Sequence, residues 1–445
     1  MPTALDAHAA LPDDLSREQF GRYRVVVATL CLAGKLWNQF DCKRGHFDAI
    51  FIDEAGQATE PETCAAIASL LDPCDGLLVV AGDPKQLGPV VHSTIAKDLE
   101  VSLLERLIAR ECYRRDDEAF GSAHYDARCM TKLIENYRSH PAIIQVPNDL
   151  FYNGDLECKA DKHVSHVFAS WEHLPAPGFP IIFHGIVGKD QREAQSPSWF
   201  NSDEAVQVLK CPNQSILVKT RIMSLFPAER KKEDPPTHAQ NMMDSTPPHK
   251  PRNPTHRYVK LLLHARGRGL TEAEIGVITP YNKQVQKLSR LLRAEGHGEI
   301  KVGSTETFQG QERRVIIIST VRSSAEHLAF DARHHLGFLA NPKRFNVAVT
   351  RAQALLIVIG NPRVLQTDAH WGALLRHCVK HGGYTGAPLH DEPGQDVERL
   401  CEFLLHAMPV PIDDGNDDDD DDGEVEDARV STRAQQEYLP MPSYD

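Results

Sequence analysis

Seven short and almost wholly apolar runs recur along the chain, and each ends in a polar or glycine-containing turn. Hydrophobic residues fill nearly every position of a run, which is typical of strands buried on both faces of a parallel sheet. The runs occupy residues 24–30, 47–54, 76–83, 179–185, 274–281, 314–321 and 354–361. The pattern therefore predicts parallel sheets that are covered by helices on both sides.

Helix-length amphipathic stretches lie between these runs, at residues 99–111, 282–294 and 365–380. The alternation of strand and helix predicts an α/β fold of the doubly wound type. Three of the apolar runs precede residue 136 and four follow it. We therefore expect two parallel sheets and two α/β domains.

Residues 211–257 depart from this alternation, because they are rich in proline and show no sustained periodicity. If Lys210 is joined directly to Tyr258, four apolar residues fall on one helical face: Val206, Leu209, Val259 and Leu263. Our hypothesis is that the segment interrupts a helix, as a retained intron or a lineage-specific insertion would. An ordinary long surface loop is the alternative.

Charge changes the picture only at the C-terminal end. The net charge is −13, but residues 413–427 contain eleven acidic residues and no basic one, so the remainder carries −2. The acidity therefore does not argue against a polyanionic partner. We expect residues 391–445 to form a short helix and a disordered acidic tail. Residues 1–21 are expected to be disordered or non-native.

Cysteine spacing and hydropathy exclude several classes of protein. The ten cysteines form no CxxC pair, so a zinc ribbon and a disulfide scaffold are not expected. No run reaches the roughly 18–20 apolar residues that a membrane helix needs, and the N-terminus lacks the order of a signal peptide. A reduced intracellular compartment without a membrane partner fits best.

Two adjacent carboxylates end the second apolar run, in the sequence FIDEAGQ (51–57). Open α/β sheets bind ligands at the carboxyl ends of their strands, where Asp53 and Glu54 are expected to lie. In nucleoside-triphosphatases such a pair holds the hydration shell of Mg²⁺ and activates the attacking water. A solvated turn is the alternative for this pair taken alone.

Four further motifs border apolar runs, and they argue against a merely solvated turn at Asp53 and Glu54. They are GDPKQLGPVV (82–91), ENYRSHPAI (135–143), VGSTETFQGQE (302–312) and KRFNVAVTRAQ (343–353). Together with FIDEAGQ, in this order, they resemble the motifs of superfamily 1 helicases, in the branch that includes the nonsense-mediated-decay helicase. The resemblance extends over about residues 24–390, apart from 211–257, and is greatest to the Armitage-type, or Moloney leukemia virus ten-like, RNA helicases.

This resemblance implies two RecA-like domains, an incomplete one at 22–135 and a second at 136–390 with the insertion at 211–257. It also implies a set of roles for nucleotide binding and hydrolysis. Asp53 would hold Mg²⁺ through water, and Glu54 would activate the attacking water. Gln86 would contact the γ-phosphate of ATP, and Arg138 and Arg351 would bind that phosphate. Tyr137 would stack on adenine, and the residues near the nucleotide would be Gln309, Gly310 and Glu312.

The resemblance also implies partners. Single-stranded RNA would contact Thr279, Pro280, Tyr281, Ser304 and Thr305, although ordinary loop-capping hydroxyls and a packed tyrosine are equally good readings of these residues. Argonaute-type silencing proteins would be protein partners, and the expected location is the cytoplasm, including ribonucleoprotein granules. Translocation in this branch runs 5′→3′.

One element of such an enzyme is absent from the sequence. No GxxxxGK[ST] phosphate loop occurs in the 445 residues. We interpret the chain as a truncated gene model or fragment of an ATP-dependent RNA helicase, with little activity alone. Two alternatives stay open: a non-catalytic RNA-binding scaffold derived from the helicase fold, and a DNA helicase of the same superfamily.

Overall fold

The computed structural model divides the chain into two compact units, Met1–Leu133 and Ile134–Asp445. It describes residues 16–389 apart from 92, 94, 122–123, 194–195, 197, 210–257, 266–268 and 324–340. The predictions for the insertion, for the tail and for residues 1–15 therefore lie outside the described residues.

The first unit is built around two parallel strands, β1 (Ala49–Ile52) and β2 (Leu77–Val80). Threonine side chains cap its two long helices, because a hydroxyl oxygen satisfies a backbone N–H that has no partner within the helix. The helices are α1 (Arg17–Phe20), α2 (Leu30–Phe40), α3 (Glu60–Leu70), α4 (Leu103–Ile108) and α5 (Asp117–Phe120), with 3₁₀ turns at Ala55–Gln57, Lys97–Glu100 and Glu111–Tyr113.

The prediction of a strand at 24–30 is wrong. Residues 24–29 have no regular structure, and Leu30 already belongs to α2. Val25 and Val27 are 80% and 89% exposed. An apolar run becomes a strand only by pairing, and among the described residues of this unit β1 and β2 pair only with each other.

Three other expectations for this unit need correction. The β1–β2 sheet is not buried on both faces, since Phe51 is 71% exposed. The predicted helix 99–111 is broken, because Ser102 caps a new helix at Leu103. Within the N-terminal stretch expected to be disordered, α1 is formed and Phe20 stacks on Phe40 with ring centroids 4.2 Å apart.

The second unit contains a six-stranded, wholly parallel sheet, so the α/β fold class is confirmed. The four apolar runs after residue 136 all form strands of this sheet, and two short strands extend its edges. The strands of the second unit are β3 (Glu135–Asn136), β4 (Glu157–Cys158), β5 (Ile181–Gly185), β6 (Asp190–Arg192), β7 (Trp199–Asn201), β8 (Ile275–Ile278), β9 (Lys301–Gly303), β10 (Arg313–Ser319), β11 (Ala352–Gly360) and β12 (Tyr384–Gly386). Strands β3 and β4 pair with each other, as do β6 and β7, apart from the six-stranded sheet. The sheet order is β12-β5-β11-β10-β8-β9.

Helices cover both faces of this sheet. The prediction at 282–294 is confirmed, whereas 365–380 splits because Asp368 caps a separate helix. The helices are α6 (Pro141–Phe151), α7 (Lys162–Ser165), α8 (Ser202–Leu209), α9 (Tyr258–Leu263), α10 (Asn282–Ala294), α11 (Pro342–Thr350), α12 (Pro362–Leu365) and α13 (Ala369–Lys380). No helix in the described ranges has both the length and the apolar character to cross a bilayer.

The core of this unit confirms burial on both faces of the sheet. Along β10, Val315 and Ile317 join one apolar cluster, whereas Ile316 and Ile318 join the cluster on the other face, around Trp371. All four are fully buried. Successive strand residues point to opposite faces, so a strand covered on both sides must be apolar throughout.

The two helices that flank residues 211–257 share one core. Helix α8 ends at Leu209 and α9 begins at Tyr258, and both residues belong to the same apolar cluster. This common burial is compatible with a single interrupted helix, which stays a prediction.

Candidate active site

The acidic turn of the first unit lies directly after β1. Asp53 and Glu54 are both exposed, and Glu54 adopts a left-handed backbone conformation with φ of 51°. The Glu54 N–H donates to Asp53 Oδ1 at 2.9 Å, and Gln57 Nε2 donates to Glu54 Oε2 at 2.9 Å. The turn therefore presents two carboxylates to solvent in a conformation that local hydrogen bonds maintain.

This turn is joined to the loop that follows β2. The Ala55 N–H donates to the Ala81 carbonyl at 2.8 Å, and the Ala81 N–H donates to Ile52 at 2.8 Å. Glycine is required at the contact, since a Cβ on Gly82 would lie 3.0 Å from the Ala55 nitrogen. The ends of the two strands thus meet at one edge, as parallel pairing predicts.

Gln86 is held in that loop by Asp83, which sequence reasoning had not singled out. Gln86 Nε2 donates to Asp83 Oδ2 at 2.9 Å, and the Lys85 N–H donates to Asp83 Oδ1 at 2.9 Å. In turns, an aspartate carboxylate often accepts a hydrogen bond from the backbone N–H two residues later. The sequence DPK therefore could have indicated that Asp83 shapes this loop. The first unit therefore brings together Asp53, Glu54 and Gln86.

The residues Tyr137 and Arg138 are positioned by a turn at the end of β3. Asn136 Oδ1 accepts hydrogen bonds from the N–H groups of Arg138 at 3.1 Å and Ser139 at 2.9 Å. Ser139 Oγ donates to the carbonyl of Ala352 at 2.8 Å, which ties this turn to the start of β11. The backbone that carries both predicted site residues is therefore fixed to the main sheet.

The Tyr137 ring is available to a ligand, since the residue is 68% exposed. Its hydroxyl donates to a Glu135 carboxylate oxygen. This hydrogen bond is the largest cause that raises the pKa of Tyr137 above its ordinary value. A neutral and exposed phenol ring suits stacking against a base.

Arg138 is paired with Glu312. Its Nε donates to Glu312 Oε2 at 2.5 Å, and Gln353 Nε2 donates to Glu312 Oε1 at 3.2 Å. Both charged side chains are partly exposed, with relative accessibilities of 32% and 42%. The structure thus joins two residues that were predicted from motifs 174 positions apart, and it adds Gln353, which was missed.

The other predicted arginine is enclosed. Arg351 lies between α11 and β11, is 2% exposed, and donates from Nη1 to the Gln311 carbonyl at 3.3 Å. The turn before that carbonyl carries Gly310, which is exposed and has φ of +69°. The Nε2 atom of Gln309 is buried, with no hydrogen-bond partner in the part of the chain that the structure describes.

The weaker candidates for strand contacts divide into two groups. Thr279 and Thr305 are 0% exposed, which contradicts a direct contact between their side chains and a nucleic acid strand in this conformation. Thr279 directly follows β8 and Thr305 comes two residues after the neighbouring strand β9. Pro280, Tyr281 and Ser304 are half-buried and stay candidates.

The residues of the acidic turn fit a magnesium ion bound through water. Mg²⁺ keeps several waters and is usually bound by one or two carboxylates together with substrate phosphates. The exposed Asp53 carboxylate meets that need. Among the described residues, no group of three or more His, Cys, Asp and Glu side chains forms a closed metal site.

Two family models match the chain, and each is described as an AAA domain. One matches residues 7–94 and the other residues 99–224 and 242–363. The chain is 43% identical to mov-10-B.1 of Danio rerio, over 87% of this chain and 34% of that protein. It is 44% identical to RNA helicase Mov10l1 of Homo sapiens, over 83% of this chain and 26% of that protein.

The similarity extends to insects. The chain is 35% identical to armi of Drosophila melanogaster, over 83% of this chain and 28% of that protein. It thus spans about a third or less of the length of these relatives. One AAA domain model covers more than half of the 445 residues. The chain therefore belongs to this AAA domain family, with Mov10, Mov10l1 and armi among its homologues.

Proposed function

We propose that the chain is the motor part of an ATP-dependent RNA helicase that moves 5′→3′ along single-stranded RNA. The observation that carries this proposal is the acidic turn of Asp53 and Glu54, joined to the Gln86 loop at the carboxyl edge of β1 and β2. The names of the homologues, which include an RNA helicase, support the same activity.

The first unit supplies the hydrolytic groups in this proposal. Glu54 orients and deprotonates the attacking water, and Gln86 contacts the terminal phosphate. Asp53 would hold Mg²⁺ through its hydration shell, and the ion would supply positive charge against the phosphates. The Asp83 hydrogen bond fixes the Gln86 amide, so little side-chain entropy is lost when a phosphate is bound.

The second unit supplies the side chains that contact the adenine base and the negatively charged γ-phosphate of the nucleotide. The exposed Tyr137 ring stacks on adenine, and Arg138 binds the γ-phosphate in exchange for Glu312. A planar guanidinium can hold two phosphate oxygens at once, which suits the charge that develops in phosphoryl transfer. Arg351 is the second arginine proposed for the γ-phosphate, and in this structure it is enclosed.

We expect the 445-residue chain to hydrolyse ATP poorly or not at all, because it carries no GxxxxGK[ST] cradle for the α- and β-phosphates. Phosphate release with saturating oligo(U) RNA measures this. Glu62→Gln is the matched control for Glu54→Gln, since glutamine keeps the Thr59 capping box. Robust turnover that Glu54→Gln removes and Glu62→Gln keeps would contradict the expectation.

A second candidate function is a non-catalytic RNA-binding scaffold derived from the helicase fold. RNA binding itself is common to both candidates, so it tests the substrate class. Fluorescence anisotropy with labelled oligo(U) and oligo(dT) should give tighter binding of the RNA, weakening with added salt. Tighter binding of the DNA would favour the DNA helicase alternative, and no binding of either strand would overturn the proposal.

The finer aspects of this function rest on the family alone. Association with Argonaute-type silencing proteins and location in cytoplasmic ribonucleoprotein granules belong to the proposal. Co-purification of an Argonaute-type protein that survives ribonuclease treatment would support a direct partner, and its loss after treatment would indicate a link through RNA.

A further inference from the structure

Two histidines hold the first turn of helix α6, which begins just after the turn of Tyr137 and Arg138. His140 caps the helix and is 7% exposed. His377 lies on α13 and forms a hydrogen bond with the backbone of Ala142, in the same first turn. Neither histidine was predicted as a site residue. We call these two side chains the histidine clamp.

His140 can cap α6 only while its ring is neutral. Its Nδ1 accepts the Ala142 N–H at 3.1 Å, so this nitrogen carries no proton and satisfies an N–H that has no partner within the helix. The backbone N–H of His140 donates to the Gln353 carbonyl at 2.8 Å, which fixes the cap to β11. A proton on Nδ1 would face the Ala142 N–H donor to donor, and the cap would be lost.

A second imidazole lies beside that of His140. The ring centroids of His140 and His166 are 4.3 Å apart. Ser165 Oγ donates to the Asp161 carbonyl at 2.8 Å and lies 2.9 Å from His166 Nδ1, so the hydroxyl oxygen accepts from that nitrogen. His166 is thus held in place, and a positive charge on either ring opposes a charge on the other.

His377 is poorly placed to carry a charge. Its Nε2 atom is buried and has no hydrogen-bond partner among the described residues. Its ring centroid lies 4.4 Å from that of His381 and 5.3 Å from that of Phe179. A proton on Nε2 would therefore be buried without a partner, which favours separation of α13 from α6.

The pKa values agree with this geometry. Burial is the largest cause that lowers the pKa of His140 and of His377 to about 4, from an ordinary value of 6.5. Protons therefore favour a state in which α6 is released: its docking is fully stable above about pH 6.5 and weakens as the pH falls towards 4. The charged and titratable groups that face the two rings are His166 for His140, and His381, Lys380 and Asp149 for His377.

We propose that the histidine clamp is a proton-sensitive device, which holds the first turn of α6 while both imidazoles are neutral and releases it when they are protonated. Because α6 is continuous with the turn before it, the release also loosens Tyr137 and Arg138. The clamp stands on the contacts of α6 alone. Only the consequence for nucleotide binding rests on the proposed function.

Amide hydrogen exchange of the 445-residue chain, followed by mass spectrometry at pH 7.5 and pH 5.5, tests the clamp. The rates are corrected for the pH dependence of exchange in unstructured peptides. We expect protection in residues 142–151 to fall about tenfold for each histidine, and about a hundredfold in all, because each ring takes up a proton in the released state. Amides of β10 and β11 should keep their protection.

Variants that cannot titrate separate the clamp from other effects of acid. His140→Asn keeps a capping acceptor, and His377→Met fills the site with a flexible apolar side chain. The double variant should show no fall in protection, and each single variant should keep a fall of about tenfold, which serves if the double variant does not fold. His163→Asn, at an exposed position on α7, is the matched control and should behave as the natural chain does.

Three results would overturn the inference: equal protection of α6 at both pH values, an undiminished fall in the variants of His140 and His377, or an equal fall in β10 and β11, which would indicate global unfolding. No nucleotide or RNA is present in this experiment, so each of these results leaves the proposed function standing. Conversely, a chain that binds no RNA overturns the proposed function and leaves the clamp intact.

Discussion

Replacement of Arg322 by alanine is expected to lower the free energy of unfolding of the second unit by about 3–5 kcal/mol. The Arg322 guanidinium lies 3.0 Å from Asp190, and the two side chains are 4% and 0% exposed. It also lies 4.7 Å from the centroid of the Trp199 ring. Its removal leaves a buried carboxylate without this counter-charge, which is costly in surroundings of low dielectric constant.

Urea unfolding followed by tryptophan fluorescence measures this loss, since three of the four tryptophans lie in the second unit. Arg192→Ala is the matched control. Arg192 also stands over Trp199, at 5.5 Å, but it is exposed, and its loss should cost at most about 1 kcal/mol. Equal losses of unfolding free energy in the two variants would show that the buried Arg322–Asp190 pair stabilises the unit no more than the exposed Arg192 does.

The sheet of the second unit could be predicted because burial on both faces leaves a simple trace. Strands β10 and β11 place apolar residues at successive positions, and no polar alternation competes with that reading. The run at 24–30 is similarly apolar, yet it is not a strand. An apolar composition indicates that a segment is able to form a strand. Whether it does so depends on a neighbouring strand, from elsewhere in the chain, with which it can form backbone hydrogen bonds.

The candidate site could be predicted where its residues directly follow strands whose parallel pairing could also be predicted. Asp53, Glu54 and Gln86 meet because two parallel strands end side by side, which the apolar runs before them already indicated. Burial of Thr279 and Thr305 could not be read in the same way. A threonine after a strand looks alike in sequence whether its hydroxyl points to solvent or into the core.

Glu204 shows the limit of such reasoning most clearly. It lies in the segment DEAVQVLK, where an acidic residue in the first helical turn normally faces water. Its partners Ser319 and Val321 are more than a hundred positions away. Only the tertiary fold brings a strained backbone turn to that carboxylate, so no local pattern could have identified it.

Glu204→Gln is expected to stabilise the second unit increasingly as the pH rises, by about 4 kcal/mol at pH 8 relative to the natural chain. Burial is the main cause that raises the pKa of Glu204 to about 8, and the charge of Asp190 adds to it, against hydrogen bonds from Val321, Ser319 and Thr320. The unfolded carboxyl ionises near its ordinary value of 4.5. The folded state therefore binds more protons between these two values, and its stability falls as the pH rises through that window.

Glutamine never ionises, so the variant avoids this loss, and below about pH 4.5 the two proteins should be equally stable because both side chains are then neutral. Urea unfolding at a series of pH values gives the difference directly. Asp203→Asn, which removes the neighbouring exposed carboxylate, is the matched control and should follow the natural chain. A difference in unfolding free energy between Glu204→Gln and the natural chain that is the same at every pH would contradict this prediction. It would mean that Glu204 ionises alike in the folded and unfolded states, so that its buried surroundings would have to accommodate a charged carboxylate.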